Sequence, residues 1–288
     1  ISRTPHLGGI IYSLLGAGDE HLEDFGRFYR NADVTQIKNV LDHLFLDTCG
    51  AWYANAGQLR PYNLTVDYQE MLEFTPEKID HALIELQKYV QLKTVQGKSI
   101  LEFKSLSRER SFTNPILAMA GPPMVRSTYI CTTHGDFNQH NILVDSTGHT
   151  WLIDFQSTNQ GHIFHDVAQL DSEVRFFILA SDEATLEERL RMEEELCRAG
   201  RFNQVPRLAN NLPTDNKALA KAFTTVVHLR TLARKLVAQN PSDDMGEYYI
   251  ALFYNALNTL RFYGLPSAQR EHALLSASLL ADRLRLRG

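Results

Sequence analysis

The sequence predicts an α+β fold, mostly helical, with one small β-hairpin near the middle of its 288 residues. Two patterns carry that expectation. Beyond Gly161 each segment sets its apolar residues at three-to-four spacing, whereas residues 129–155 change to the period of strands. No internal repeat or low-complexity linker interrupts either pattern.

Residues 9–16, a β-branched and aromatic run between glycines, read as one buried strand. Helices are expected at about 19–30 and 34–55. Asp33 offers the second an N-cap, with Gln36 placed to complete a capping box. Ile37, Val40, Leu41, Leu44, Phe45 and Cys49 fall on one face of that helix. Thr75-Pro76-Glu77 opens another, running to about Gln91, with proline at the first helical position. Residues 92–130 contain Gly97, Pro115 and Gly121-Pro122-Pro123 and read as loops with short strands. Ile142-Leu143-Val144 and Thr150-Trp151-Leu152-Ile153 then flank Asp145-Ser146-Thr147-Gly148, a hairpin around a turn-forming tetrapeptide.

Helices follow near 164–180, 183–199, 216–239, 244–263 and 267–286. Leu219, Ala222, Phe223, Val226, Leu229, Ala233 and Leu236 form the stripe of the third, and such stripes are core-packing faces. Gly200 and Gly264 stand where helix C-caps belong, and Pro241 and Pro266 near helix starts. Glu187, Glu188 and Glu193 to Glu195, with Arg189 and Arg191 among them, read as a solvated, ion-paired face. Arg230, Arg234 and Lys235 read as a solvated edge, ahead of an acidic-substrate contact.

Composition narrows the function classes. A chain 44% apolar and 22% charged can bury a sizeable core, which excludes a disordered or collagen-like polymer. Its formal charge of -5 argues against nucleic acid and anionic membrane as partners, since both demand a concentrated basic surface. Cys49, Cys131 and Cys197 are too few and scattered for a disulfide framework or zinc cluster, so the expected compartment is the cytoplasm. No apolar run reaches the roughly 20 residues that span a bilayer, and no signal peptide is expected, since the start lacks a basic stretch followed by an apolar one. It begins with Ile1, so a larger parent chain is expected.

The chemistry concentrates in His134-Gly135-Asp136-Phe137-Asn138-Gln139-His140-Asn141-Ile142-Leu143-Val144, followed by Trp151-Leu152-Ile153-Asp154-Phe155. Asn141 leads directly into one hairpin strand, and Asp154 ends the other. The turn therefore returns a carboxylate to the end of the hairpin that holds a carboxamide, with Asp136 in front of both. Two hard oxygens so placed suit a divalent cation that keeps several waters beside nucleotide phosphates. A facing carboxylate can orient a hydroxyl and take up its proton. The neighbouring His134, His140, His149, His162 and His165 have no Cys partners and no helical His-x-x-x-His pair, so loop-bracing or solvated roles are expected of them. Cys131 reads as a small buried apolar side chain, and no Gly-x-Ser-x-Gly hydrolase signature is present.

At these residues the sequence resembles the kinase-like phosphotransferases, in the aminoglycoside phosphotransferase and choline kinase branch, which carry His-Gly-Asp-x-x-x-x-Asn-Ile-Leu and a later Ile-Asp-Phe or Ile-Asp-Trp. The resemblance implies Asp136 as catalytic aspartate, Asn141 and Asp154 as magnesium ligands, and ATP as phosphoryl donor to a hydroxyl. It further implies that His134 braces the catalytic loop and that Asp166, twelve residues after Asp154, bonds the loop backbone from a buried position. The runs 133–138 and 151–155, with Gly161-His162 and Asp166, also resemble the bacterial ternary-complex-associated kinase-like domains. That narrower likeness implies a place in a larger multidomain chain whose other domains are partners.

The implied fold is a kinase-like C-terminal lobe. Residues 1–16 would supply the last strand of an N-terminal lobe and the hinge, where backbone at Tyr12 and Leu14 meets the adenine. Residues 17–288 would form the C-lobe, with a catalytic segment at 129–170 and a helical substrate subdomain at 171–288. The pattern departs from the family where a glycine-rich loop and a strand-borne lysine are expected; Lys38 lies in a helix and is a poor substitute. Gln156 stands where protein kinases place glycine, and Asn138 and His140 replace the His and Gly common in the small-molecule branch. Three readings stay open: a phosphotransferase, an inactive kinase-like binding or sensor module, and a helical interaction domain with an incidental hairpin.

Overall fold

The computed structural model describes residues 2–3, 8–9, 22–73, 75–119 and 121–285. Beyond Gly9, the strand expected at 9–16 lies outside the described residues, as do Tyr12 and Leu14. The architecture is mixed α and β, mostly helical, with small antiparallel sheets.

Strands β1 (Ser2–Arg3) and β2 (Gly8–Gly9) pair with each other, and β3 (Glu23–Asp24) leads into α1 (Phe25–Asn31). Helix α2 (Val34–Asp42) starts on the expected capping box, Gln36 N–H on Asp33 Oδ1 at 2.9 Å and Asp33 N–H on Gln36 Oε1 at 2.8 Å. The helical path continues through a π-helical turn, His43–Thr48, into α3 (Gly50–Ala54). That widened turn presents Thr48 Oγ1 and His43 Nδ1 to Thr150 Oγ1 at 2.7 and 2.9 Å, which docks the hairpin on the helix.

Strand β4 (Arg60–Asn63), α4 (Leu64–Met71) and α5 (Pro76–Leu86) follow. The segment expected to be loops with short strands contains the hairpin β5 (Val90–Val95) and β6 (Lys98–Phe103), extended by β7 (Ser111–Thr113). Gln96 and Gly97 turn it with φ of 50° and 74°, the double positive φ of a type I′ turn. After α6 (Ile116–Met119), β8 (Val125–Thr128) pairs with β4, and β9 (Ile130–Thr133) runs toward the loop at 134–141.

The expected hairpin forms. Strands β10 (Ile142–Val144) and β11 (Thr150–Leu152) pair with Ile142 opposite Leu152 and Val144 opposite Thr150, and β3 adds a third strand beside β10. Asp145 Oδ1 staples the turn by accepting the N–H groups of Thr147 and His149 at 2.8 and 2.9 Å. Strand β12 (Asn159–His162) returns along β9 and delivers the chain to α7 (His165–Glu173).

Helices α8 (Leu186–Leu196), α9 (Lys217–Leu236), α10 (Gly246–Thr259) and α11 (Ser267–Arg285) complete the chain. In α10 only Glu247 and Asn258 escape burial, because α7, α4 and α11 enclose it. Among the described residues, no helix is long and apolar enough to cross a membrane.

Four expectations are corrected. The C-caps are Cys197 and Leu260, both right-handed; Gly200 and Gly264 lie beyond them and neither takes positive φ. A 3-10 helix at Phe202–Asn210 occupies a stretch where no element was expected. The acidic face of α8 is not wholly solvated: Glu193, Glu195 and Arg189 are buried. Arg175 explains this for Glu193. It reaches from the π turn Val174–Ile178 to bond Glu193 at 3.0 Å and Asp171 at 2.6 Å, and Arg230, also buried, takes the other Asp171 oxygen at 2.9 Å. The supposed basic edge is thus partly core, while Arg234 pairs with Asp243 at 3.2 Å.

Candidate active site

The loop at 134–141 starts where β9 ends and stops where β10 begins. Gly135 permits its first bend: φ is 83°, and a Cβ there would stand 2.2 Å from the Ser157 carbonyl oxygen. His134 Nδ1 accepts the Asp136 N–H at 3.4 Å, and Nε2 contacts the Ile153 carbonyl at 2.9 Å. This pair of bonds requires the neutral tautomer protonated on Nε2, so His134 braces the loop against the strand that carries Asp154. At the far end, the Phe25 N–H bonds the Gln139 carbonyl at 3.1 Å and seats the loop on α1.

Helix α7 holds the loop from beneath. Asp166, buried in its first turn, accepts the N–H groups of His134 and Gly135 at 2.9 and 3.3 Å, and the Tyr53 hydroxyl at 3.2 Å. Gln169 Oε1 accepts the Phe137 N–H at 2.8 Å, and Glu173 Oε2 the Gln139 N–H at 3.4 Å. Burial pushes the Glu173 carboxyl up to about 7; the Gln139 N–H opposes that rise, and the charge of Asp136 adds to it. Burial likewise raises the Cys131 thiol to about 12, with Asp166 adding to the effect, so this strand cysteine is held as an unreactive thiol.

Asp136 and Asn141 meet directly. Asn141 Nδ2 donates to Asp136 Oδ2 at 3.0 Å and to the Asp136 carbonyl at 2.9 Å. Asp136 Oδ1 accepts from Asn138 Nδ2 at 3.0 Å and Gln169 Nε2 at 3.4 Å. Asp154 stands at the same end of the hairpin, since the neighbouring Ile153 N–H bonds the Asn141 carbonyl at 3.1 Å. It is exposed and left-handed, with φ 61° and ψ 63°, and among the described residues no donor occupies its carboxylate.

Two side-chain oxygens here are of the hard type that a divalent cation takes. Asn141 spends its amide nitrogen on Asp136 and leaves Oδ1 available, and the Asp154 carboxylate is open. Two hard oxygens are too few for an all-protein cage but match an ion that retains waters and phosphate oxygens. Among the described residues, no group of three or more His, Cys, Asp or Glu could hold a metal. His140 and His149 are exposed. His162 is buried between Tyr68 Oη at 2.9 Å and Glu247 at 3.4 Å, and His165 is buried in the core. A cavity of about 920 Å³ near α8 and α11, walled in part by Arg191, Glu194, Arg198 and Asp282, touches none of the loop residues.

The structure therefore brings Asp136 and Asn141 into contact, pairs the residue before Asp154 with Asn141 through the backbone, and hydrogen-bonds the loop to His134 and Asp166. Sequence reasoning missed Tyr53, Gln169 and Glu173. The sequence marks neither of the last two: Asp166, Gln169 and Glu173 share a face at i, i+3 and i+7, but His165, Asp171 and Ser172 make the rest of α7 polar as well.

A family model described as ternary complex associated domain 9 matches residues 93–261, which include the loop, the hairpin, α7 and α10. No curated protein and no solved structure matches the chain.

Proposed function

We propose that this chain, which belongs to the ternary complex associated domain 9 family, carries an ATP- and magnesium-dependent phosphotransferase site on a kinase-like C-terminal lobe. One observation carries the reading: Asn141 binds the side chain and the backbone of Asp136 through its nitrogen alone, which leaves its oxygen for a cation next to Asp154. Asp136 would orient the acceptor hydroxyl and receive its proton as the hydroxyl oxygen bonds to the γ-phosphorus. The bond from that phosphorus to the bridging oxygen breaks, and ADP leaves with the electron pair. Magnesium held by Asn141 and Asp154 would supply charge neutralisation at the phosphates. His134 and Asp166 fix the loop that carries Asp136. We place this activity in the cytoplasm, where the buried thiols of Cys49, Cys131 and Cys197 stay reduced.

A second reading is an inactive kinase-like binding or sensor module of a larger multidomain chain, whose site binds nucleotide without transfer; the family's description names association with a ternary complex and no reaction. Two measurements on the full-length protein separate them. Calorimetry should find magnesium-dependent ATP binding that Asp154→Ala removes. ADP release should fall about 10²- to 10⁴-fold in Asp136→Asn, the usual worth of a general base. Binding without ADP release selects the second reading; absence of magnesium-dependent binding sinks both.

A further inference from the structure

Each carboxylate oxygen of Asp136 offers two lone pairs. Oδ1 has two donors, Asn138 Nδ2 at 3.0 Å and Gln169 Nε2 at 3.4 Å, whereas among the described residues Oδ2 has one, Asn141 Nδ2 at 3.0 Å. The carboxylate is thus asymmetric: one oxygen is filled and the other keeps an open lone pair. Gln169 is the member of this set that couples carboxylate to scaffold. Its Oε1 accepts the Phe137 N–H at 2.8 Å while its Nε2 reaches Asp136. Phe137 is fully buried, so the amide that Gln169 grips belongs to the anchored part of the loop. Asp166 and Glu173, on the same face of α7, only accept from the loop, and neither donates to Asp136.

We propose that Gln169 is a positioning residue, which together with Asn138 saturates Oδ1 and so makes Oδ2 the oxygen that meets the acceptor hydroxyl. This rests on the reading of Asp136 as the base, and it deepens that reading by assigning the reacting atom. A Gln169→Glu variant keeps the acceptor for Phe137 but replaces the donor to Asp136 with a second carboxylate oxygen facing Oδ1. Gln169→Leu loses both.

The test combines kinetics with an observable that needs no turnover. In the full-length protein Gln169→Glu should lower kcat about tenfold or more, starting from the worth of one lost hydrogen bond, and Gln169→Leu at least as much, with KM for ATP unchanged. In ¹H–¹⁵N spectra the side-chain NH₂ resonances of Asn138 and Asn141 should move in both variants. The Phe137 backbone resonance should move strongly only in Gln169→Leu. Should Gln169→Leu fail to fold, Gln169→Glu alone carries the test. Unmoved Asn138 and Asn141 resonances in Gln169→Glu overturn the proposal, whatever the kinetics. A wild-type protein without ADP release defeats the phosphotransferase reading, yet the resonances still decide whether Gln169 orients Asp136.

Discussion

The Tyr53 hydroxyl donates to Oδ2 of Asp166 at 3.2 Å, on the oxygen that also takes the His134 N–H at 2.9 Å. A buried carboxylate with three donors thereby fixes the first bend of the candidate loop from two directions, α7 and α3. Removing the whole acceptor by Asp166→Ala strands two backbone N–H groups, that of His134 buried and that of Gly135 half-buried, and should cost roughly 3 kcal/mol or more. Tyr53→Phe removes one donor of three and should cost about 1 kcal/mol. Urea denaturation of both variants checks the order; equal losses would show that the hydroxyl, not the carboxylate, organises the bend.

Gly135 and Gly148 both adopt positive φ, 83° and 90°, yet their surroundings differ. A Cβ at 148 would meet Val40 Cγ2 at 3.6 Å, ordinary contact, whereas at 135 it would overlap the Ser157 carbonyl oxygen at 2.2 Å. Gly148→Ala should therefore cost only the left-handed conformation, roughly 1–2 kcal/mol. Gly135→Ala adds a backbone clash in the same strand–loop junction that carries Asp154, so it should destabilise more and also weaken magnesium-dependent nucleotide binding. Thermal melts of the two variants, with calorimetry on Gly135→Ala, make the comparison.

Glu173 ties the loop to pH. Burial raises its folded pKa from 4.5 to about 7, so its contribution is fully present below pH 4.5 and is lost as pH rises through 7. The shift corresponds to about 3 kcal/mol at 1.36 kcal/mol per pH unit. Glu173→Gln, which keeps an oxygen for the Gln139 N–H, should flatten that slope and leave the variant the more stable of the two at pH 8. Unfolding free energies measured from pH 4.5 to 8 check this, and parallel profiles would show that Glu173 does not titrate in this window.

The hairpin and the loop were legible because their determinants are local. A turn-forming tetrapeptide between two apolar triplets sets the register, and the spacing from Asp136 to Asn141 lies within one loop. Gln169 and Glu173 were illegible as loop supports because their partners, Phe137 and Gln139, lie 32 and 34 residues away. Glu193 was misread by its charge. Its spacing, Leu186, Leu190, Glu193 and Cys197, puts it on the apolar face of α8, so geometry outweighed residue type once cationic partners were at hand. Arg230 followed the same logic beside Val226, Leu229 and Ala233 in α9. The C-cap glycines failed for another reason. Helices α8 and α10 close on right-handed residues, so no left-handed position was needed there.

The buried cluster around Arg175 yields the largest predicted effect. Arg175 bonds Asp171, Glu193 and Ser276, Arg230 bonds the second Asp171 oxygen, and His272 Nε2 contacts Glu193 at 2.8 Å. Burial alone would raise the Glu193 carboxyl, but the Arg175 guanidinium and the His272 bond hold it well below the usual carboxylate range. A depressed pKa contributes stability above 4.5 and loses it as pH falls, so acid should unlock this cluster. Arg175→Met leaves two buried carboxylates short of a partner and should cost roughly 3–5 kcal/mol, while Glu193→Leu alone takes one of the two carboxylates from Arg175, which keeps Asp171 and Ser276, and should cost less. The double variant Arg175→Met with Glu193→Leu removes charge from both sides, so its loss should fall well short of the sum of the two. Urea denaturation at pH 7 across this double-mutant cycle measures the coupling, and strict additivity would show that the ion pair does not link α8 to the segment that follows α7.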